Sequence, residues 1–149
     1  DGEVKKGCLI LTEEEYKEKA FEGRKDFKFV IAKNLKTVSS NLFSGSSLQF
    51  PFMPEVECIG DWAFKYSSLT VVCFLKVKRV GNYSFRGCKE LIQVFLPVCE
   101  ELGERCFGSC KMFKILDLPK AKKISRWQFS YCSSLTDLII PLVEEIGEN

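Results

Sequence analysis

The 149-residue chain contains no histidine. Histidine is the commonest general acid or base near neutral pH and the commonest metal ligand, so its absence removes most hydrolytic triads and most zinc chemistry at once. Also missing are a C-x-x-C pair, a G-x-S-x-G turn and a glycine-rich phosphate loop. Nothing is therefore written for a structural zinc, a nucleophile elbow or a nucleotide cradle. No apolar run approaches the roughly 18 residues of a membrane span. The opening segment DGEVKKGCLILTEEEY has no apolar core of signal-peptide length, which implies either no export by that route or earlier trimming. A formal net charge of +2 gives no global field to draw nucleic acid or an anionic membrane. These absences point away from an enzyme, from nucleic-acid binding, from membrane insertion and from any cofactor.

What the sequence has is repetition. Cut at the apolar residue that opens each unit, the chain reads VSSNLFSGSSLQFPFMPEVEC from 38 and IGDWAFKYSSLTVVCFLKVKR from 59. VGNYSFRGCKELIQVFLPVCEE from 80, LGERCFGSCKMFKILDLPKAKK from 102 and ISRWQFSYCSSLTDLIIPLVEE from 124 follow. Phe43, Phe64, Phe85, Phe107 and Phe129 all stand at the sixth position. The first two units have 21 residues and the last three 22, and the residue missing from the shorter ones is most simply the cysteine at the ninth position. FKFVIAKNLKTV, residues 27–38, reads as the second half of an earlier unit with one extra residue, and Ile146-Gly147-Glu148-Asn149 as the opening of another.

A period this short holds one strand and a tight return. The L-x-x-L-x-L segment supplies the strand, and stacked units form a parallel sheet whose apolar side is covered only by neighbouring units. Pro54, Pro97, Pro119 and Pro141 follow the last inward residue and end the strand, having no amide for the ladder, with Leu75 in that place in one unit. The expected fold is a leucine-rich-repeat solenoid over residues 27–149. One face is a parallel β-sheet, and the returns are tight turns or short helical segments. Ahead of it, Thr12 as N-cap, Glu15 three residues on and a Leu11/Tyr16 staple predict a helix of about ten residues ending at Gly23. Residues 1–26 are thus expected to form a helical cap over the end of the stack.

IGDWAF, FRGCKEL, FGSCKMF, VFLPV and LDLPKA, spread over the stretch from residue 27 to the end, resemble the BspA-like or Treponema pallidum type of leucine-rich repeat, although the units here are shorter than usual. The resemblance implies a curved, non-catalytic solenoid on surface or secreted proteins, used for adhesion and for binding protein, such as a host or matrix protein. A structural, self-associating array is the alternative, because uncapped repeat ends and repeated faces favour homotypic contact. A cytoplasmic location stays open.

Cys88, Cys110 and Cys132 share one repeat position and should stack as a buried small-apolar slot without disulfides, with Cys106 in the core and Cys8 freest to react. The closing residues of successive units alternate in charge as Glu57/Lys78/Glu100/Lys122/Glu144 and Arg79/Glu101/Lys123/Glu145. Such rows read as register-setting ladders rather than as a phosphate surface, because a slip of one unit would bring like charges together.

Strand alternation also predicts what faces out. One outward column is Phe50, Val71, Gln93, Ile115 and Asp137; the other is Phe52, Cys73, Phe95, Asp117 and Ile139. Most are apolar where solvent favours polar residues, enough for a patch on the order of several hundred Å², the size that marks an interaction site. The candidate partner-binding residues are Phe50, Phe52, Val71, Cys73, Ile92, Phe95, Ile115 and Ile139, with Phe50, Phe52 and Phe95 as anchors.

Overall fold

A computed structural model describes residues 2–147. The chain winds as a β-solenoid in which, from residue 29 onward, short strands recur on two faces of each turn. The first face carries β1 (Glu3–Lys5), β2 (Cys8–Leu11), β3 (Phe29–Ala32) and β5 (Phe50–Phe52) in one sheet. It continues with β7 (Val71–Cys73), β9 (Gln93–Phe95), β11 (Ile115–Asp117) and β13 (Asp137–Ile139) in a second. The other face stacks β4 (Thr37–Val38), β6 (Cys58–Ile59), β8 (Arg79–Val80) and β10 (Glu101–Leu102), then pairs β12 (Lys123–Ile124) with β14 (Glu145–Ile146). All pairings are parallel except β1 with β2, which meet across Lys6 and Gly7 at φ 49° and 75°, the backbone a tight hairpin requires.

The returns are tight turns, and the reason lies in their backbone. Counted from the residue that opens each unit, the fourth position has positive φ in Asn41, Trp62, Tyr83, Arg105 and Trp127, and the eighth does so in Gly45, Tyr66, Gly87, Ser109 and Tyr131. Two left-handed residues four apart forbid a helix. They instead aim alternate amides along the stack, as in Asn41 N–H to the Asp61 carbonyl (3.0 Å), Phe43 to Ala63 (2.8 Å) and Gly45 to Lys65 (2.7 Å). Turns sit so close at the second position that a Cβ on Gly103 would lie 2.4 Å from the Asn82 amide nitrogen.

The helical cap expected over residues 1–26 is not formed; among the described residues there is no helix, and residues 13–22 make another solenoid turn. Lys19 takes the left-handed fourth position at φ 61°, and Phe21 enters the phenylalanine column, its amide bonded to the Leu42 carbonyl at 3.1 Å. The amides of Thr12 and Glu13 donate to the Tyr16 hydroxyl, so the orphan donors a helix start would have capped are satisfied otherwise. Burying Phe21 and bonding to the next turn outweigh a local helix preference. The parallel stack already begins at β2, and the hairpin strand β1 covers its end.

Six phenylalanines, Phe21, Phe43, Phe64, Phe85, Phe107 and Phe129, stack along the core with ring centroids 5.4 to 6.2 Å apart. Phe27 fills the place of Leu48, Leu69 and Leu91, so the early half-unit has no extra residue. The shorter units do not lack the ninth position either. Ser46 and Ser67 are buried there, Ser67 Oγ lying 3.4 Å from Cys88 Sγ, and the omitted residue falls between that slot and the leucine.

Candidate partner-binding face

The sheet face sets the outward residues in two straight columns. Phe29, Phe50 and Phe52 alternate with inward Val30 and half-buried Pro51, and the pairings Phe29↔Phe50, Ile31↔Phe52, Val71↔Gln93 and Cys73↔Phe95 align successive turns. Phe50 (44% exposed), Phe52 (55%) and Val71 (48%) stand out to solvent, as does Cys73. Phe95 and Ile115 are half-buried, and Ile139 is exposed at the far end of the face. Ile92 lies outside both columns. It precedes β9, its amide bonded to the Thr70 carbonyl at 2.8 Å and its carbonyl accepting from Lys114, so it flanks the face.

Two further aromatic and aliphatic residues belong to these columns. Phe29, 46% exposed, stacks on Phe50 with centroids 5.3 Å apart, and Ile31 lies in register with Phe52. Sequence reading placed them in an earlier half-unit without assigning their side; aligning Phe27 with the repeat leucine would have turned both outward. The columns are thus polarised. The end bearing β3, β5 and β7 is apolar, whereas β11 and β13 bring Asp117 and Asp137 into the same rows.

At the apolar end the backbone opens a groove. Proline has no amide to donate, and at Pro51 the ladder that joins β3 to β5 is not continued to β7. A depression of about 420 Å³ lies there, lined chiefly by Phe50, Pro51, Phe52, Val71, Cys73 and Leu75. Leu75, which replaces the recurrent proline, is 58% exposed on its rim.

The second face is polar by contrast. Its charge rows run as expected and reach one turn further, since Lys36 bonds Glu14 at 2.9 Å ahead of the Lys78–Glu57 pair at 3.0 Å. Arg79–Glu101 (2.9 Å) and Lys123–Glu145 (2.6 Å) pair in the neighbouring row. The hydrogen bond to Glu14 raises the Lys36 pKa, and the one from Lys78 holds the Glu57 carboxyl below its ordinary value. Every pair is exposed, so each adds little stability, and a slip of one unit would set like charges together.

The three stacked cysteines are tied to the phenylalanine column. Cys88, Cys110 and Cys132 donate their thiols to the carbonyls of Phe64, Phe85 and Phe107 of the preceding turn, at 3.0 to 3.1 Å. Burial pushes the Cys88 and Cys99 thiols up to about 12 and the Cys106 and Cys110 thiols higher still. A thiol held protonated in this way is neither nucleophile nor metal ligand.

Comparison with known proteins places this architecture. The family described as "BspA type Leucine rich repeat region (6 copies)" matches residues 57–149. The crystal structure of a leucine-rich repeat protein from Bacteroides ovatus superposes with a TM-score of 0.75 at 20% identity. The match covers 99% of this chain and 53% of that one, so the chain spans about half the length of the Bacteroides protein. The T. pallidum leucine-rich repeat protein TpLRR is similar at TM-score 0.76 and 18% identity, over 99% of this chain and 82% of that one. No curated protein sequence matches the chain.

Proposed function

Because the chain belongs to the BspA-type leucine-rich repeat family, we propose that it is a non-enzymatic interaction module that docks a protein partner on its sheet face. The observation that carries this reading is the contiguous exposed row of Phe29, Phe50, Phe52, Val71 and Cys73 beside the groove at Pro51. A solenoid needs its inward residues to fold; it does not need aromatic rings on the outside, where they cost solubility. Rigid rings around an apolar depression are the anchors that carry most of an interface's energy. Phe29, Phe50 and Phe52 take that role here, with Phe95, Ile115 and Ile139 extending the contact along the stack. Family kinship also supports a role in adhesion, at the cell surface or outside the cell; no helix among the described residues is long and apolar enough to cross a membrane.

Selecting peptides from a displayed library on the intact chain, then measuring their affinity for the variant Phe50→Asp/Phe52→Asp, tests the proposal. Both side chains are exposed, so the variant should melt near the parent temperature and lose the selected peptides by about tenfold or more. Peptides that bind parent and folded variant alike would move the site off this face. Light scattering against concentration separates partner docking from self-association: a parent that assembles while the variant stays monomeric makes the occupant a second copy.

A further inference from the structure

The chain distributes its aromatic residues by type. Phenylalanine fills the core and the sheet face, whereas both tryptophans and all but one of the tyrosines stand on the return turns. There they occupy the left-handed fourth and eighth positions: Trp62 (φ 54°), Tyr83 (59°) and Trp127 (59°), then Tyr66 (58°) and Tyr131 (60°). Glycine and asparagine adopt this backbone cheaply, and the same positions hold Asn41 and Gly45 one turn earlier. A bulky ring at such a site is strained, and strain kept outside the core, on rings that are exposed at Trp62, Tyr66 and Tyr131 and half-buried at Tyr83 and Trp127, points to a use other than folding.

The cations around these rings are also set apart. Lys65 lies 5.0 Å from the Tyr66 ring, Arg86 5.7 Å from Tyr83 and Arg105 5.1 Å from Trp127. None of the three has a carboxylate partner among the described residues, whereas on the second face Lys36, Lys78, Arg79 and Lys123 all do. Ring geometry then narrows the ligand. Trp62 and Tyr83 are stacked on each other, 5.9 Å apart and 13° from parallel, and Arg105 covers Trp127. Each of these rings has one face already covered, which leaves a poorer stacking platform for a nucleic-acid base than a bare ring offers. The edge of an aromatic ring is electropositive. Edges and unpaired cations alike attract carboxylates.

We propose that this return face, centred on Trp62, Tyr83, Arg105 and Trp127, is a second interaction surface that takes an acidic protein segment, independently of the sheet face. The test uses the intact chain and a short fluorescent peptide rich in Asp and Glu, with its Asn/Gln counterpart, heparin and single-stranded RNA as comparisons. The acidic peptide should bind, weaken as salt rises toward ~1 M, and bind about tenfold or more weaker to Trp62→Asn/Tyr83→Asn/Trp127→Asn. That variant should keep or raise its melting temperature, since asparagine suits the left-handed backbone. Arg86→Gln/Arg105→Gln, which leaves every ring in place, should lose the peptide as well and so guards against a folding defect in the first variant. Phe50→Asp/Phe52→Asp should bind it normally, which separates this surface from the sheet face. Failure of the acidic peptide to bind, equal binding of the Asn/Gln peptide, or binding confined to heparin or RNA would each overturn the proposal.

Discussion

Truncating one ring of the phenylalanine column should cost an amount set by its place in the stack. Phe107 is fully buried, with Phe85 at 5.4 Å on one side, Phe129 at 6.2 Å on the other and Phe113 at 5.0 Å beside it. Phe107→Ala therefore leaves a cavity walled by ordered turns that cannot collapse without breaking their backbone ladders, and the cost should be about 3 to 5 kcal/mol. A domain's whole stability is only about 5 to 15 kcal/mol. Phe129 is half-buried and, among the described residues, meets a column neighbour on one side alone, so in this chain Phe129→Ala should cost roughly half as much. Urea titration followed by far-UV circular dichroism reads the difference. With a slope of about 1 to 3 kcal/mol/M, the midpoint should fall by roughly 1 to 5 M for Phe107→Ala and clearly less for Phe129→Ala. Equal shifts would refute the reasoning, because they would mean that cost follows residue type and that neighbouring turns do not carry stability from one to the next.

Two further outcomes follow from the polar features. Lys122→Glu with Lys123→Glu sets like charges against Glu100, Glu101, Glu144 and Glu145 and should lower the melting temperature more than Lys111→Glu with Lys114→Glu; the gap should narrow at ~1 M salt, and equal shifts would remove the ladder. The buried thiols make stability fall on the alkaline side. With folded pKa values of about 12 for Cys88 and Cys99, the protection is whole below the unfolded value near 8.5 and is lost as pH rises toward the folded one. Cys88→Ser, which puts the residue of Ser46 and Ser67 into the same slot, should fold and flatten that decline by up to about 1.4 kcal/mol per pH unit. An unchanged alkaline limb would show that this thiol does not contribute.

The repeat, its register, the inward phenylalanines, the outward columns and the charge rows were all legible because each depends on a side chain recurring at one spacing. The N-terminal turn was not. Thr12, Glu15 and Gly23 carry local helix signals, and only the fit of Ala20-Phe21 to the repeat, which depends on contact with Phe43 a turn away, opposes them. The cysteine slot was misread for a similar reason. Ser46 and Ser67 differ from cysteine as letters, but each fills the same small buried space. Ile92 was placed on the face because it is apolar, although the backbone puts it beside the strand. The groove at Pro51 follows from a missing amide, which the sequence states but whose effect depends on which neighbour that amide would have served.

Fold and binding capacity sit at different positions of the same repeat. Inward positions hold a nearly constant set, phenylalanine at the sixth and leucine or phenylalanine at the strand entry, because each must match the same residue in the turns above and below. Outward positions face solvent, and there the turns diverge: Phe50, Val71, Gln93, Ile115 and Asp137 share a column but range from aromatic to charged. The return turns diverge likewise, their left-handed positions holding asparagine or glycine in some turns and tryptophan, tyrosine, lysine, arginine or serine in others. On the proposed reading, recognition resides in departures from the consensus. A chain rebuilt with Asn at the fourth position, Gly at the eighth and Thr or Gln in both outward columns should fold at least as stably as the parent, because no inward contact is touched. It should bind nothing that the parent binds. If the rebuilt chain kept its ligands, the consensus itself would be the binding element, and neither exposed aromatic row would have a functional reading.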